Sequence, residues 1–558
     1  MRAIESDHHG YFIRTPRMPT RADLGRAGAT LATFVLAVCV TIAAAAATAA
    51  PSPSPSAERA QQHAQPAQTS APAPAQRTVP PASVSIDPSH KAARPEPPAP
   101  PEKPAPPGKG VAGARTPTPQ PINWEKLTQE AAVLLSRYIR IDTTNPPGNE
   151  LSAARMLREK FLADGIPATV WEPAPGRGVV AARLRGIGKD TKAIVLLSHM
   201  DVVPADPKQW RVPPFSGEVK DGEIWGRGAI DDKGPSVIEL MAMLAIKRSG
   251  ILLNRDILFV ATGDEEEGGR NGAGWFVEHQ KKIYADAGYL LNEGGGITLS
   301  PGGHRFYAVS IAEKTPMWIR LTAQGQAGHA AVPPDATALT HLVAALERLI
   351  AYRPPIRIIN PVSDYFRAIA KLDGGPHEFN NLVLSLRKHA WRRDFLANAR
   401  YNAMVRDTIA PTVLGASDKT NVISATAWAE VDCRLLPGED PAGFLDKIQR
   451  VINDDTIKVD VLLNFPAVSS PRRSILMNAI DSVAWRDNRT TVVPTMIAGF
   501  TDSHYFRAQH VISYGFIPIE LTAAQERTVH GVNERIEVKQ LGDGIRRMVE
   551  LLRFVGGS

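Results

Sequence analysis

His199 stands two residues before Asp201 and, with Ser198 between, just after the apolar run 193–197. A lone histidine in such a place is more often a hydrogen-bonded structural residue. An imidazole that binds a metal, however, needs its second nitrogen oriented, and a nearby carboxylate is the usual partner. Two adjacent acids, Asp231 and Asp232, lie in the run GRGAIDDKG at 226–234. This is not a phosphate loop, because Lys233 precedes the glycine, and Asp231 stands where a dinucleotide fingerprint requires glycine. Paired acids between a glycine-rich turn and a helix suit a cation. The acidic run 264–267 would by itself read as a solvated face, yet it follows the apolar run 257–261 and precedes Gly268 and Gly269. Consecutive glutamates there can divide labour, one coordinating a metal while the other moves a proton. Glu293, after the run 289–291, and His530, in VHGVNE, are unremarkable singly. No zincin helix and no nucleophile-elbow serine occurs.

The elements that must position these residues follow from periodicity. Helical patterns over 124–139, 152–164 and 235–249 alternate with apolar runs too short for helices, which predicts strands buried on both faces. The expected fold is therefore α/β, a mainly parallel sheet with helices on both faces. Ligands in such sheets collect beyond the carboxyl ends of the strands, where three of the runs deliver histidine and carboxylates to one rim. A second unit begins near residue 310. Strands over 317–323, 422–434 and 457–463 and helices over 336–352 and 441–452 suggest a small inserted α+β lid domain. Residues 353–420 are poorly periodic and stay unassigned. The sheet resumes near Ser470 and ends in a helix over 538–554.

Composition sets the outer limits. Residues 27–50 carry no charge, follow a basic leader and end in small residues, the pattern of a secretory signal or, since the stretch is long enough, a membrane anchor. The expectation is an exported protein, periplasmic or secreted, cleaved or anchored. Residues 51–120 hold 19 of the 47 prolines and too few branched aliphatics to offset their ordering entropy, so 51–121 reads as a disordered linker. Residues 1–121 carry 12 Lys and Arg against 7 Asp and Glu, which leaves +2 of the formal +7 for the remainder. The high isoelectric point therefore gives no case for a nucleic-acid partner. Cys39 lies in the export segment and Cys433 stands alone after it, so no internal disulfide is available. The expected division is 122–309 and 467–558 for the catalytic domain and 310–466 for the insertion.

In order and spacing, SHMDVVP, GRGAIDDKG, GDEEEGG, NEGGG, GHAAVP, DCRLLPG and VHGVNE resemble the zinc carboxypeptidase and aminoacylase family, which includes carboxypeptidase S, glutamate carboxypeptidase, succinyl-diaminopimelate desuccinylase and acetylornithine deacetylase. The likeness covers 122–556 and is nearest the larger carboxypeptidase S-like members. It implies two Zn2+ per chain, with Co2+ or Mn2+ as substitutes. By that resemblance His199 and Glu293 hold one ion, Glu266 and His530 the other, and Asp231 bridges them. Asp201 orients His199, Glu265 is the general base, His329 helps hold the oxyanion, Arg434 grips a substrate carboxylate and Asn421 assists. The Asp231–Asp232 peptide is expected to be cis. Two features depart from the pattern: His504 follows GFTDS where many relatives have arginine, and 353–420 exceeds the compact relatives. A homodimer through the insertion is left open.

The implied activity is cleavage of an amide or peptide bond adjacent to a free carboxylate, of carboxypeptidase or dipeptidase type. The competing readings are an N-acyl-amino-acid amidohydrolase with the same metal site and a tethered binding protein without catalysis.

Overall fold

The computed structural model describes residues 119–188, 191–466 and 468–557, all within one compact unit. The segment expected to direct export, and the expected linker up to residue 118, lie outside the described residues. Among the described residues no helix is long and apolar enough to cross a membrane.

The strands in chain order are β1 (Ala168–Trp171), β2 (Val179–Leu184), β3 (Ala193–His199), β4 (Glu218–Lys220), β5 (Glu223–Trp225), β6 (Ile257–Thr262), β7 (Ala287–Asn292), β8 (Gly296–Leu299) and β9 (Arg305–Glu313), followed by β10 (Thr315–Gln324), β11 (Gly328–His329), β12 (Thr408–Gly415), β13 (Val422–Ile423), β14 (Thr426–Leu435), β15 (Ile457–Asn464), β16 (Thr491–Ile497), β17 (Ile512–Gly515) and β18 (Arg535–Glu537). The large sheet runs β1-β2-β6-β3-β7-β17-β9-β16, with β8 on β9. Its centre, β6-β3-β7-β17, is parallel, and antiparallel pairings lie toward both sides. Every residue of β3 and β6 is buried, as unbroken apolar runs require. One face carries the helices Trp124–Ile139, Glu150–Ala163, Lys233–Ser249 and Val538–Gly556. The other is covered by residues that include Phe276, Tyr284 and Phe506.

A separate antiparallel sheet, β12-β14-β10-β15, forms the insertion. Met317, Ile319, Leu321 and Ala323 alternate inward along β10 against the helices Ala338–Ala351 and Pro441–Ile452, the period-two pattern of a sheet buried on one side. The two sheets are joined at Lys314. This fully buried residue donates from Nζ to the Arg406 carbonyl and to Thr408 Oγ1, both at 3.0 Å.

Two differences from the sequence reading have physical causes. The expected strand over 422–434 is interrupted at Ser424, whose hydroxyl bonds the Thr426 backbone as acceptor at 3.2 Å and donor at 2.7 Å. Val422 and Ile423 pair instead with His329 and Gly328. The unassigned stretch holds the helices Asn360–Asp373, His389–Ala397 and Ala399–Met404. Their rings, joined by Phe379 from the turn His377–Asn381, cluster on Phe366, with Phe379, Phe395 and Tyr401 centred 4.8–5.2 Å away, and they pack on Phe306, Val493 and Met496 of the large sheet. This segment thus extends the core of the large sheet, and truncating a ring such as Phe366 would cost about 3–5 kcal/mol.

A first prediction follows from composition. Removing residues 1–118, which leaves the Gln120 N–H on the Ser249 carbonyl, should leave kcat and melting temperature unchanged; a drop in either would show that the segment supports the enzyme.

Candidate metal centre

The chemistry-bearing residues meet at the carboxyl ends of the central strands. β3 ends in His199, β6 leads into the tight turn Glu265–Glu267, and β7 is followed by Glu293. The loop 226–232 enters the helix Lys233–Ser249 and carries Asp231. His530 arrives from the far end of the chain, because β18 pairs with β5 beside that loop.

Asp231 lies between two imidazoles. Its Oδ1 is 2.9 Å from His199 Nε2, and its Oδ2 is 3.1 Å from His530 Nε2. Glu293 Oε1 approaches the same His199 nitrogen at 3.7 Å, and Glu266 Oε1 approaches the His530 nitrogen at 3.3 Å. The cluster therefore runs Glu293, His199, Asp231, His530, Glu266. Donor atoms of His199, Glu265 and Glu293 lie within 4.8 Å of one another, as do those of His199, Asp231 and Glu266. The Asp231–Asp232 peptide is cis.

Electrostatics show what such a cluster needs. Burial, reinforced by the neighbouring Glu293, raises the Glu265 carboxyl well above its ordinary range. Glu293 is raised by burial and by Asp231. For Asp231 burial acts the same way, but hydrogen bonds to His199 and His530 overcome it and hold its carboxyl low. His530 is pushed up to about 10, chiefly by Asp231 and then Glu266. Crowded carboxylates and imidazoles of this kind are relieved by a cation, and the nitrogen and oxygen donor set fits a borderline metal.

Supporting bonds fix the donors. Asp201 is fully buried. It accepts from Asn145 Nδ2 at 2.8 Å and from the N–H groups of Glu265 and Glu266 at 3.1 Å, so it pins the acidic turn. Its carboxylate is 3.5 Å and its carbonyl 3.0 Å from His199 Nδ1. Glu534 holds the Asp231 loop: it accepts from the N–H groups of Ile230 at 2.8 Å and of Gly228 and Asp231 at 3.1 Å, and from Arg227 Nη1 at 2.7 Å. The loop must pass close to its own helix, since a Cβ on Gly234 would stand 2.2 Å from the Ala229 carbonyl oxygen. Asp264 and His530 hold positive φ of 72° and 56°, a cost that surrounding contacts must meet and that recurs at functional sites. Sequence reasoning passed over Asn145, Arg227 and Glu534. The available signal for Glu534 was an acid closing the motif that contains His530.

The residues expected on the insertion are placed differently. Arg434 donates from Nε and Nη2 to Asp432 at 2.7 and 2.9 Å and lies 4.9 Å over the Phe500 ring. His329 and Asn421 come together at one tip, where the Asn421 carbonyl accepts from Ala330 N at 3.1 Å and His329 Nδ1 accepts from Ala331 N at 3.0 Å. Both are exposed, and neither side chain bonds to the Asp231 cluster. His504 is buried and stacked on Phe465 at 3.5 Å. Burial lowers its pKa to about 4, so a neutral ring stands where an arginine would bring charge.

A histidine and carboxylate cluster at the strand ends of an α/β sheet, beneath an inserted α+β unit, defines a metal-dependent hydrolase of the peptidase and amidohydrolase class. The chain belongs to peptidase family M20/M25/M40, whose sequence model matches residues 195–553. It is 31% identical to an N-fatty-acyl-amino acid synthase/hydrolase of Xenopus tropicalis over 381 residues, 66% of this chain and 74% of that protein. A carboxypeptidase S-like protein of Dictyostelium discoideum is 31% identical over 64% of this chain and 70% of its own length. In fold the chain is similar to an M20 family metallo-carboxypeptidase of Sulfolobus solfataricus, with TM-score 0.61 at 18% identity, covering 77% of this chain and 100% of the other.

Proposed function

We propose that this chain is an exported two-zinc hydrolase that cleaves an amide or peptide bond next to a free carboxylate and releases a carboxy-terminal amino acid. The observation that carries this reading is Asp231, whose two oxygens face two different imidazoles. His199 and Glu293 would hold one ion, Glu266 and His530 the other, with Asp231 shared. Bound zinc supplies Lewis acidity, polarising the scissile carbonyl and lowering the pKa of water. Glu265 takes a proton from the attacking water and returns it to the leaving nitrogen, a role for a buried carboxylate not spent on metal. Asp201 keeps the Glu265 and Glu266 amides in place while orienting His199. Asp432 fixes the guanidinium of Arg434 through its Nε and Nη2 edge, leaving Nη1 directed elsewhere for a substrate carboxylate. For His329 and Asn421 to touch substrate, the insertion must approach the cluster.

The test is metal analysis joined to a substrate panel. Zinc-reconstituted protein should hold two zinc ions per chain, lose activity to a chelator and regain it with Zn2+, Co2+ or Mn2+. Dipeptides and N-acyl amino acids should be cleaved, and their carboxyl methyl esters should not. A chain that takes up no zinc would return the reading to a binding protein, and equal cleavage of the methyl esters would remove the carboxylate requirement.

A further inference from the structure

Arg177 sits in the link between β1 and β2, outside every motif of the Asp231 cluster, and only 12% of its side chain is exposed. A guanidinium so enclosed needs partners for its donors, and the partners it has are instructive. Nη1 donates to Glu150 Oε1 at 2.7 Å, and Nη2 donates to Asn145 Oδ1 at 2.9 Å and lies 3.2 Å from Asp264 Oδ1. All three partners are buried. Two of them, Asp264 and Asn145, reach the acidic turn that carries Glu265 and Glu266.

One route to the turn is direct. Asp264 is the residue before Glu265 and holds the positive φ of 72°. Its carbonyl accepts from the N–H groups of Glu267 at 3.2 Å and Gly269 at 2.6 Å, which closes the turn. Its Oδ2 accepts from Asn271 N at 2.7 Å and Asn271 Nδ2 at 3.1 Å. One carboxylate oxygen of Asp264 is thus held by the segment after the turn, and the other faces Arg177. A residue in this backbone conformation persists only while its surroundings over-determine it.

The other route runs through Asn145. An amide has an acceptor at one end and a donor at the other, whereas a guanidinium only donates. Arg177 therefore turns the Asn145 oxygen toward itself and the nitrogen toward Asp201, which accepts from Nδ2 at 2.8 Å. Asp201 in turn accepts from the N–H groups of Glu265 and Glu266. An Asn145 amide rotated by half a turn would set two oxygens against each other at the Asp201 contact and leave the turn without this support.

Shape fixes the guanidinium as well. A Cβ on Gly148 would overlap Arg177 Nη1, and one on Gly263 would stand 2.7 Å from the Glu150 carboxyl carbon, so the ion pair fills space that only glycine leaves open. A lysine would bring the charge but not the planar fork that spans Glu150, Asn145 and Asp264. We propose that Arg177 is a positioning residue for the reaction: through Asp264, and through Asn145 and Asp201, it holds the turn 264–267 so that the Glu265 carboxylate meets the attacking water. This rests on the proposed role of Glu265 in the Asp231 cluster. The partners of Arg177 are support residues and not ligands, so its effect passes through the turn.

The test uses the zinc-saturated full chain and whichever dipeptide or N-acyl amino acid of the panel the parent protein cleaves fastest. Arg177→Lys should lower kcat by about 10–100-fold, the usual cost of disturbing residues that orient the groups around a metal, with KM within about twofold and both zinc ions retained. The deciding readout is the same substitution in a Glu265→Gln background. There kcat should fall by less than about twofold further, because the group that Arg177 aims is already gone and coupled residues do not add. A residue that served only the fold would cost the same factor in both backgrounds. Asn145→Ala, which cuts the longer route and leaves the Arg177–Glu150 pair intact, should lie between the parent and Arg177→Lys, and it carries the same comparison if Arg177→Lys does not fold. Equal losses in the two backgrounds, an unchanged kcat, or a loss confined to KM would overturn the positioning role. Undiminished kcat or loss of a zinc ion in Glu265→Gln alone would instead overturn the reading of Glu265 beneath it.

Discussion

Glu265→Gln is expected to lower kcat by about 10²–10⁴-fold, the range for loss of a positioned general acid and base, while both zinc ions remain bound. The amide keeps the shape of the carboxylate, and the backbone N–H of residue 265 still donates to Asp201, so the acidic turn should survive the change. KM should move little if the group acts on the proton and does not bind substrate. Zinc content and kcat measured on one preparation decide the matter. The distances leave a definite rival, because Glu265 shares its neighbourhood with His199 and Glu293 as closely as a ligand would. Loss of one zinc from the glutamine variant would therefore reassign Glu265 as a ligand and move the proton role to Glu266 or Glu267.

Glu534→Ala should be the most damaging change outside the ligand set, costing about 3–5 kcal/mol, the usual result of leaving one member of a buried ion pair alone. Arg227 and Glu534 are both almost fully buried. Removing the carboxylate also strips three backbone amides of the Asp231 loop of their acceptor, and Asp231 then loses the support that aims it at both imidazoles. Zinc content should fall together with the denaturation midpoint. Glu534→Gln keeps an acceptor for some of these amides and should sit between the two, with measurable zinc. Full zinc occupancy and unchanged stability in the alanine variant would show that the loop holds itself.

The gathering of histidine and carboxylates at one rim was legible in the sequence because parallel strands advertise themselves. β3, β6 and β7 are short apolar runs, and each is followed at once by a residue that could do chemistry. Of the loop acid Glu534 only its place at the end of the His530 motif was legible, and its role was not, since that role lies in amides some 300 positions away in the chain and sequence spacing carries no trace of burial. The helices between 360 and 404 were missed for a related reason. His389–Ala397 and Ala399–Met404 are too short to build up a helical period, and Pro354, Pro355, Pro361 and Pro376 punctuate the stretch, although Asn360–Asp373 does carry that period in Val362, Tyr365, Phe366 and Ile369. What orders them is the ring cluster on Phe366 and the edge of the large sheet. Arg434 was placed correctly on its strand, but its pairing with Asp432 two residues earlier is a same-face contact that period-two spacing permits without requiring.

The contribution of residues 530–534 has a consequence for how the protein is made. A chain emerging from the ribosome exposes His199, Asp231, Glu266 and Glu293 long before His530 and Glu534, and the pairing of β18 with β5 closes a loop of some 300 residues, an expensive and late event in loop-closure terms. Until then the Asp231 loop lacks its acceptor and one imidazole is absent. Assembly of the Asp231 cluster must therefore wait for residues 530–534, and a nascent or clipped chain that lacks them has neither the imidazole of His530 nor the carboxylate that holds the Asp231 loop.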